Sequence, residues 1–342
     1  MNQLDASEIV AVKTGGSTGQ PRQLARPTDT WLQSALAERQ VFGLEDADRF
    51  AVLGHPDHSL WAYVHFRARI GGSAFLGVSQ FNSQSIQDLN QFQPSVLYGV
   101  PELVMTAARL LTRTNQALAS LRLVLLGGGP VPVGFSERAL REPFPNGEVW
   151  TFYGTAETSF IGVARPFEPY RCFPSVEVQI RDEGEIWVRS PMTVPPDEWI
   201  NTGDLGRWAD SAGGVNKSRE RLFEVMGRAS RQLMVKGVKY PVEGVEKFLI
   251  HGFQHRLVLD RVALTADTRG VICLVLSPPE EVDPASDANL SIGLEEVNAL
   301  IQQDFQGFPV VRRLLALRAS DWPITAAGKT NWQALRQTVS NP

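Results

Sequence analysis

Six short segments of this 342-residue chain gather residue types that could do chemistry. The segment TGGSTGQPR at 14–22 sets Gly15, Gly16 and Gly19 among the hydroxyls of Thr14, Ser17 and Thr18. Glycines allow close backbone approach and hydroxyls add donors, so this is either a polyphosphate cradle or a flexible surface loop. It is neither the GxxxxGK[ST] of a P-loop nor the GxGxxG of a dinucleotide site. LGGGPVP at 126–132 follows an apolar run. Its Gly127, Gly128 and Gly129 leave backbone without Cβ, against which a flat ring could lie, or they make a plain strand-to-helix turn. FYGTAET at 152–158 groups Tyr153, Gly154, Thr155 and Glu157. A carboxylate beside a phosphate loop suits Mg2+, directly or through water; the alternative for Glu157 is an exposed loop glutamate. NTGDLGRW at 201–208 puts Asp204 in a turn, to accept hydrogen bonds from two ribose hydroxyls or to make an Asx-turn. In GRASRQLMVKGVKYPVEGVE at 227–246, Arg228 and its basic neighbours either contact a nucleotide or coat a linker. PITAAGKTNW at 323–332 carries Lys329 in a turn of small residues, where a lysine is otherwise simply solvated.

The elements that must position these segments alternate. EIVAV at 8–12 is a strand that runs into the 14–22 loop, and a helix follows from Thr28 to Phe42. AVLG (51–54), PSVLYG (94–99), LRLVLLGGG (121–129) and EVWTFYG (148–154) read as strands. Helical stretches separate them at 60–70, 101–114 and 134–141. Strands alternating with helices predict a large layered α/β domain with functional loops at the carboxyl ends of parallel strands. From Ser175, VEVQI, the turn RDEGE and IWVRS predict an antiparallel β section. After Arg228 the pattern predicts a small α+β C-terminal domain. It has helices near 242–250 and 293–305 and strands near 256–264, 271–276 and 312–318.

Length is consistent with two domains, at about 150 residues each, or one with an appendage. The 33 basic and 37 acidic residues give a net charge of −4, with no basic run to follow a phosphate backbone, so nucleic acid is excluded as a partner. Cys172 and Cys273 lie far apart and form neither a disulfide framework nor a CxxC site, which fits a reducing, cytoplasmic setting. Apolar runs are too short to span a bilayer, and the N-terminus lacks the pattern of an export signal. His251 and His255 stand four apart, but Gly252 interrupts them and no third ligand is apparent, so no zinc site is expected.

In order and spacing, the six segments together resemble the core motifs of the adenylate-forming superfamily, which holds acyl- and aryl-CoA synthetases, peptide-synthetase adenylation domains and luciferases. The resemblance runs from Thr14 to Trp332. It implies residues 1–229 as an AMP-binding domain and 230–342 as a small mobile domain, with a hinge near Ser230. It implies that the 14–22 loop closes over the β- and γ-phosphates of ATP, and that Gly127 to Gly129 with Tyr153 line the adenine site beside Gly154 and Thr155. Glu157 would hold Mg2+, Asp204 and Arg228 would reach the ribose, and Lys329 would bridge the substrate carboxylate and the α-phosphate. His58, in LGHPDHSLW, matches a histidine or aromatic that gates entry of the acyl group or thiol; a structural histidine is the alternative. The implied activity joins a small carboxylic acid to CoA through an acyl-adenylate. The alternatives are loading of a carrier-protein phosphopantetheine thiol, or a catalytically silent nucleotide-binding scaffold.

The chain also departs from the pattern. Only 13 residues precede Thr14, so much of the first subdomain is expected to be absent, and a homodimer or another partner is expected to cover the apolar surface this exposes. Arg22 stands for a lysine, Ala156 for a threonine or serine, Ser230 for the hinge aspartate and Trp332 for an arginine. The segment Gly237 to Pro241 is a residue short. Thr155 or Thr158 could supply the hydroxyl that Ala156 lacks. Phe152, Phe160, Ile161 and Trp61 are candidates for the acid pocket, and equally for the core.

Overall fold

A computed structural model of the chain describes residues 9–13, 23–129, 131, 137–209, 221–229, 231–235, 238–253, 259, 261–267, 269–278, 292–305, 307–324 and 330–340. They divide into two compact units, one running to Glu224 and the other beginning at Val225.

The first unit opens with β1 (Ile9–Lys13) and β2 (Gln23–Pro27), paired antiparallel so that Lys13 faces Gln23. Helix α1 (Thr28–Phe42) follows and stops at Gly43, whose left-handed backbone (φ 59°) caps it. Then come β3 (Phe50–Leu53), α2 (Ser59–Gly71), β4 (Phe75–Val78), α3 (Ser83–Phe92), β5 (Val96–Gly99), α4 (Pro101–Arg113), β6 (Leu123–Leu126), α5 (Glu137–Arg141) and β7 (Glu148–Thr155). A reciprocal capping box between Asn82 and Ser85 starts α3, and Pro101 occupies the first turn of α4, where its missing N–H costs nothing.

These strands build a seven-stranded sheet in the order β4-β3-β5-β6-β7-β8-β9, completed by β8 (Ser159–Ala164) and β9 (Arg171–Cys172). The pairs from β4 to β7 are parallel, whereas β8 and β9 return antiparallel. Every residue of β3, β5 and β6 is buried, as a parallel sheet with helices on both faces requires. The period of two divides the core. Phe50, Val52, Tyr98 and Leu125 pack on one face with Trp31, Tyr63 and Phe160, while Ala51, Leu53, Leu97 and Val124 pack on the other with Leu89, Val104 and Leu111. The antiparallel section predicted from Ser175 is a four-stranded sheet of β10 (Glu177–Ile180), β11 (Glu185–Arg189), β12 (Ile200–Trp208) and β13 (Phe223–Arg228).

In the second unit, the hairpin of β14 (Gln232–Val235) and β15 (Val238–Pro241) leads into α6 (Val242–Phe253). A three-stranded sheet joins β16 (Arg261–Ala266), β17 (Ile272–Ser277) and β18 (Arg313–Ala316), with α7 (Leu294–Asp304) before the last strand and α8 (Trp332–Ser340) after it. Leu264, Leu274 and Leu276 face α6 and α7 through Val245, Leu249, Val297 and Ile301. On the other face Ala263, Cys273 and Val275 meet Leu335 and Val339 of α8. This unit is the α+β architecture expected after Arg228, with α8 as an element the sequence pattern did not announce. Among the described residues no helix is long and apolar enough to cross a membrane, and both cysteines are free.

Candidate nucleotide site

The parallel register brings the predicted residues of the first unit to one edge of the sheet. Leu53 pairs with Gly99, Gly99 with Leu126 and Leu126 with Thr151, so the carboxyl ends of β3, β5 and β6 are level and β7 runs past them to Thr155. His58 lies five residues beyond β3, Gly127 one beyond β6, and Tyr153 two beyond Thr151. The strand order reverses between β3, which leads to β4 on one side, and β5 on the other. In doubly wound sheets a crevice for ligands opens at such a reversal, outside the carboxyl ends of the strands.

Tyr153 and Asp204, 51 residues apart, meet here: the phenol donates to Asp204 Oδ2 at 2.7 Å. Asp204 is 4% exposed and lies on β12, where its backbone N–H donates to Thr202 Oγ1 at 3.1 Å. Gly127 is buried because the ring of Phe152 fills the place where a Cβ would stand, 2.1 Å from the nearest ring carbon. Gly128 and Gly129 are exposed, and no atom lies within 4 Å of where a Cβ on Gly129 would be. Gly154 is required by close approach, since its Cβ would fall 1.9 Å from the Ser159 carbonyl oxygen where the β7–β8 register slips.

The turn after β7 carries Glu157, half-buried, whose own carbonyl accepts the Val194 N–H at 2.8 Å. Thr155 and Thr158 bond each other across this turn, hydroxyl to hydroxyl at 3.1 Å. Thr158 is fully buried, so of these two residues only Thr155 is partly exposed.

A residue outside the predicted set anchors the turn. Arg26 of β2 is 1% exposed, and its guanidinium donates to Thr30 Oγ1 and the Met192 carbonyl at 2.8 Å each and to the Ala156 carbonyl at 2.5 Å. Burial pulls its pKa down to about 10, and the Glu157 charge opposes that fall, so Arg26 stays protonated at neutral pH. Nothing in QLARP marks Arg26 for this role except a charge in a short strand beside a candidate loop.

His58 is half-buried at the N-cap of α2, its ring centroid 5.7 Å from that of His55. Phe160 (3% exposed) and Ile161 (0%) belong to the core, and the half-buried Phe152 packs edge-on to Phe160. Trp61, also half-buried, packs over Gly77.

The predicted phosphate loop, Thr14 to Gly19 with Arg22, lies outside the described residues, as do Ser230, Gly237, His255 and Lys329. The pairing of Lys13 with Gln23 brackets the first of these segments, and an antiparallel bridge between Ile324 and Thr330 brackets the last. In the second unit Arg228 is half-buried, and its backbone N–H donates to Glu243 Oε2 at 3.0 Å.

Among the described residues no group of three or more His, Cys, Asp or Glu side chains could hold a metal ion. Mg2+ commonly takes one or two protein carboxylates and completes its shell with phosphate oxygens and water. A single half-buried Glu157 in the site turn fits that demand. The exposed Gly128 and Gly129, level with a tyrosine and a carboxylate, fit an adenosine, which needs a flat wall and an acceptor for its sugar hydroxyls.

Comparison with known proteins gives the family and the fold. A family profile described as AMP-binding enzyme matches residues 7–195. An uncharacterized acyl-CoA ligase of Bacillus subtilis is 24% identical over 262 residues, covering 69% of this chain and 52% of that one. The 2-succinylbenzoate–CoA ligase of the same organism is 25% identical over 281 residues, covering 73% and 54%. The chain thus spans about half the length of the curated relatives it matches. Among solved structures, an amide bond synthetase of Marinactinospora thermotolerans superposes with a TM-score of 0.73 at 22% identity, covering 97% of this chain and 70% of that one. The O-succinylbenzoate coenzyme A synthetase of Bacillus subtilis, in complex with AMP, gives 0.70 at 22% identity, covering 97% and 69%. These likenesses establish the layered α/β fold.

Proposed function

The chain belongs to the AMP-binding enzyme family, and from that premise we propose that it is an ATP-dependent acid:thiol ligase. In this reading a carboxylate oxygen of a small acid attacks the α-phosphorus of ATP. The bond from that phosphorus to the bridging oxygen breaks, and pyrophosphate leaves. A thiol then attacks the carbonyl of the acyl-adenylate and displaces AMP, and the proton of the thiol is lost to solvent. CoA is the proposed acceptor. A hydrophobic or aromatic acid is the proposed substrate class, in keeping with relatives named for 2-succinylbenzoate and long chain fatty acids.

The observation that carries the reading is the Tyr153–Asp204 hydrogen bond of 2.7 Å at the strand edge that also bears Gly127 to Gly129 and the Glu157 turn. The phenol fixes one carboxylate oxygen, leaving Asp204 oriented for the ribose hydroxyls while the ring of Tyr153 forms a wall for adenine. The loop from Thr14 to Gly19 would close over the β- and γ-phosphates, and Arg228 would reach the ribose. Glu157 would hold Mg2+, which when bound supplies neutralising charge to the phosphates. Lys329 would bridge the attacking carboxylate and the α-phosphate, where negative charge gathers in the transition state. Residues 1–229 would form the AMP-binding domain and 230–342 a domain that turns about a hinge near Ser230.

The test mixes the full chain with Mg·ATP and a panel of aliphatic and aromatic acids, follows pyrophosphate release, and traps adenylates with hydroxylamine. The expected result is acid-dependent pyrophosphate and hydroxamate, with CoA-dependent thioester. Adenylate without a CoA thioester, but with transfer to a holo carrier protein, would reassign the acceptor. Nucleotide binding with no turnover of any acid would overturn the ligase reading.

A further inference from the structure

Arg231 touches two segments that the proposed adenylation depends on, and nothing so far gives it a role. Its N–H donates to the Arg228 carbonyl at 2.9 Å, tying the two residues together on either side of the place where the hinge is proposed. Its side chain is 17% exposed, and its guanidinium is held by two carboxylates of α6. Nη1 lies 2.7 Å from Glu246 Oε2 and 3.3 Å from Glu243 Oε1, while Nη2 donates to Glu246 Oε1. Glu243 also accepts the Arg228 N–H, and Glu246 accepts the Leu264 N–H of β16 at 2.5 Å. One ion cluster therefore joins the hinge-side turn, α6 and the sheet of the second unit.

The other side of the guanidinium meets the lysine-bearing segment. Its central carbon stands 3.5 Å from the ring centroid of Trp332, the first residue of α8 and three beyond Lys329. An antiparallel bridge between Ile324 and Thr330 flanks the segment that carries Lys329 in sequence. It is reinforced by Trp322 Nε1 donating to Thr330 Oγ1 at 3.1 Å and by the Asn331 N–H donating to the Pro323 carbonyl at 2.9 Å. Asn331 Oδ1 then caps α8 by accepting the Ala334 N–H at 3.1 Å. Only a planar guanidinium can grip carboxylates edge-on while stacking flat on an indole; a lysine at 231 could do one but not both. The pairing also accounts for a sequence departure, because the arginine expected at 332 would set two like charges face to face, whereas Trp332 makes that contact attractive.

We propose that Arg231 is the positioning residue for Lys329: it fastens the hinge-side turn to the end of the lysine segment, so that the placement of the lysine follows the setting of the hinge. This rests on the ligase reading, in which Lys329 serves adenylation and not thiol transfer. Arg231→Ala should therefore slow the first half-reaction selectively, since misplacing a catalytic group by about 1 Å costs on the order of 10²-fold.

The experiment uses full-length Arg231→Ala, Arg231→Lys, Trp332→Ala and Trp332→Phe. Three quantities are read: the rate of acid-dependent pyrophosphate release, the rate of CoA attack on acyl-adenylate supplied preformed, and the rate of trypsin cleavage after Lys329 in the native protein. Arg231→Ala is expected to lower kcat for adenylation about 100-fold with KM for ATP little changed, and to affect thiolysis far less. Trp332→Ala should show the same selectivity to a smaller degree. Trp332→Phe, which keeps a ring under the guanidinium, should recover most of what alanine loses, and Arg231→Lys should fall between alanine and the wild type. Cleavage after Lys329 should rise at least about fivefold in both alanine variants. Equal loss of both half-reactions in step with Tm, or no loss, overturns the proposal. If the wild-type chain makes no adenylate, the ligase reading fails by itself, and unchanged cleavage after Lys329 in the alanine variants still overturns the fastening.

Discussion

Arg26, 1% exposed, and Arg231, 17% exposed, are two largely enclosed guanidiniums of the proposed site machinery, yet their surroundings differ. Arg26 is bonded to a threonine hydroxyl and two backbone carbonyls, all neutral, with Glu157 acting on it through space. Arg231 is bonded to Glu243 and Glu246 and stacked on Trp332. A buried cation matched by carboxylates has its field cancelled locally and acts as a fastener. Among the described residues Arg26 makes no direct ion pair with a carboxylate; its charge is offset through space by Glu157, and it holds the turn from Thr155 to Thr158 through the Ala156 carbonyl. The same residue type thus fastens two turns in two ways: by a fork to backbone carbonyls at Arg26, and by paired carboxylates and an indole at Arg231. The carboxylate Glu246 bears the cost of its own burial, which raises its pKa even with Arg231 beside it.

The sharpest way to test this contrast is to set a ceiling for it. Lys329→Ala should lower acid-dependent pyrophosphate release about 10³-fold, roughly 4 kcal/mol of transition-state stabilisation. Arg231→Ala must then cost less than this ceiling, and a larger effect would show that Arg231 acts by some other route. Arg26→Met should destabilise the fold by about 3 kcal/mol in urea titrations, because it orphans the Ala156 and Met192 carbonyls. Arg26→Lys, which restores charge but not the fork, should recover part of that loss. A neutral effect of Arg26→Met would break the contrast.

A buried charge of opposite sign gives a comparison within the same unit. Glu38 of α1 is fully buried and accepts from Tyr63 at 2.8 Å and Tyr98 at 2.5 Å, with Arg67 of α2 nearby. Burial raises its pKa to about 7 from 4.5, against the pull of the two phenols and Arg67. At this site the folded chain binds more protons than the unfolded chain between these two values, so the contribution of Glu38 is full below pH 4.5 and is lost as pH rises through 7. The loss amounts to about 3 kcal/mol. Glu38→Gln should flatten this part of the stability profile between pH 5 and 8, as read by Tm in matched buffers; an unchanged slope would place the titration elsewhere. The smallest expected effect belongs to Tyr153→Phe, which removes one donor from Asp204. It should weaken AMP binding about fivefold by calorimetry, about 1 kcal/mol, and leave the fold intact.

Much of the first unit was legible because burial on both faces leaves a plain mark: FAVL, VLYG and LVLL are apolar without interruption. The strand FLGV and the helix SQSIQDLNQF that follows it were not read, since four residues and a mostly polar decapeptide carry little periodicity. Helix α8 was hidden for a related reason, as its two buried residues, Leu335 and Val339, mark a single stripe. Tyr153 and Asp204 were each visible as candidates, but their contact spans 51 residues and depends on how two sheets meet. Arg26 was illegible as a buried group, and Arg231 as the centre of an ion cluster. The carbonyls that hold Arg26 come from 130 and 166 residues away, and no local pattern announces a partner at that distance.

The central claim is that the acid's oxygen becomes bonded to the α-phosphorus of ATP, and not to its terminal phosphorus, and that water does not take its place there. The most direct measurement supplies the chosen acid with both carboxylate oxygens as 18O, together with Mg·ATP and CoA, and reads the products by mass spectrometry. Transfer of one label atom to AMP and none to pyrophosphate is the predicted result. Label in inorganic phosphate, or unlabelled AMP, would contradict an acyl-adenylate and with it the roles proposed for Lys329 and Arg231.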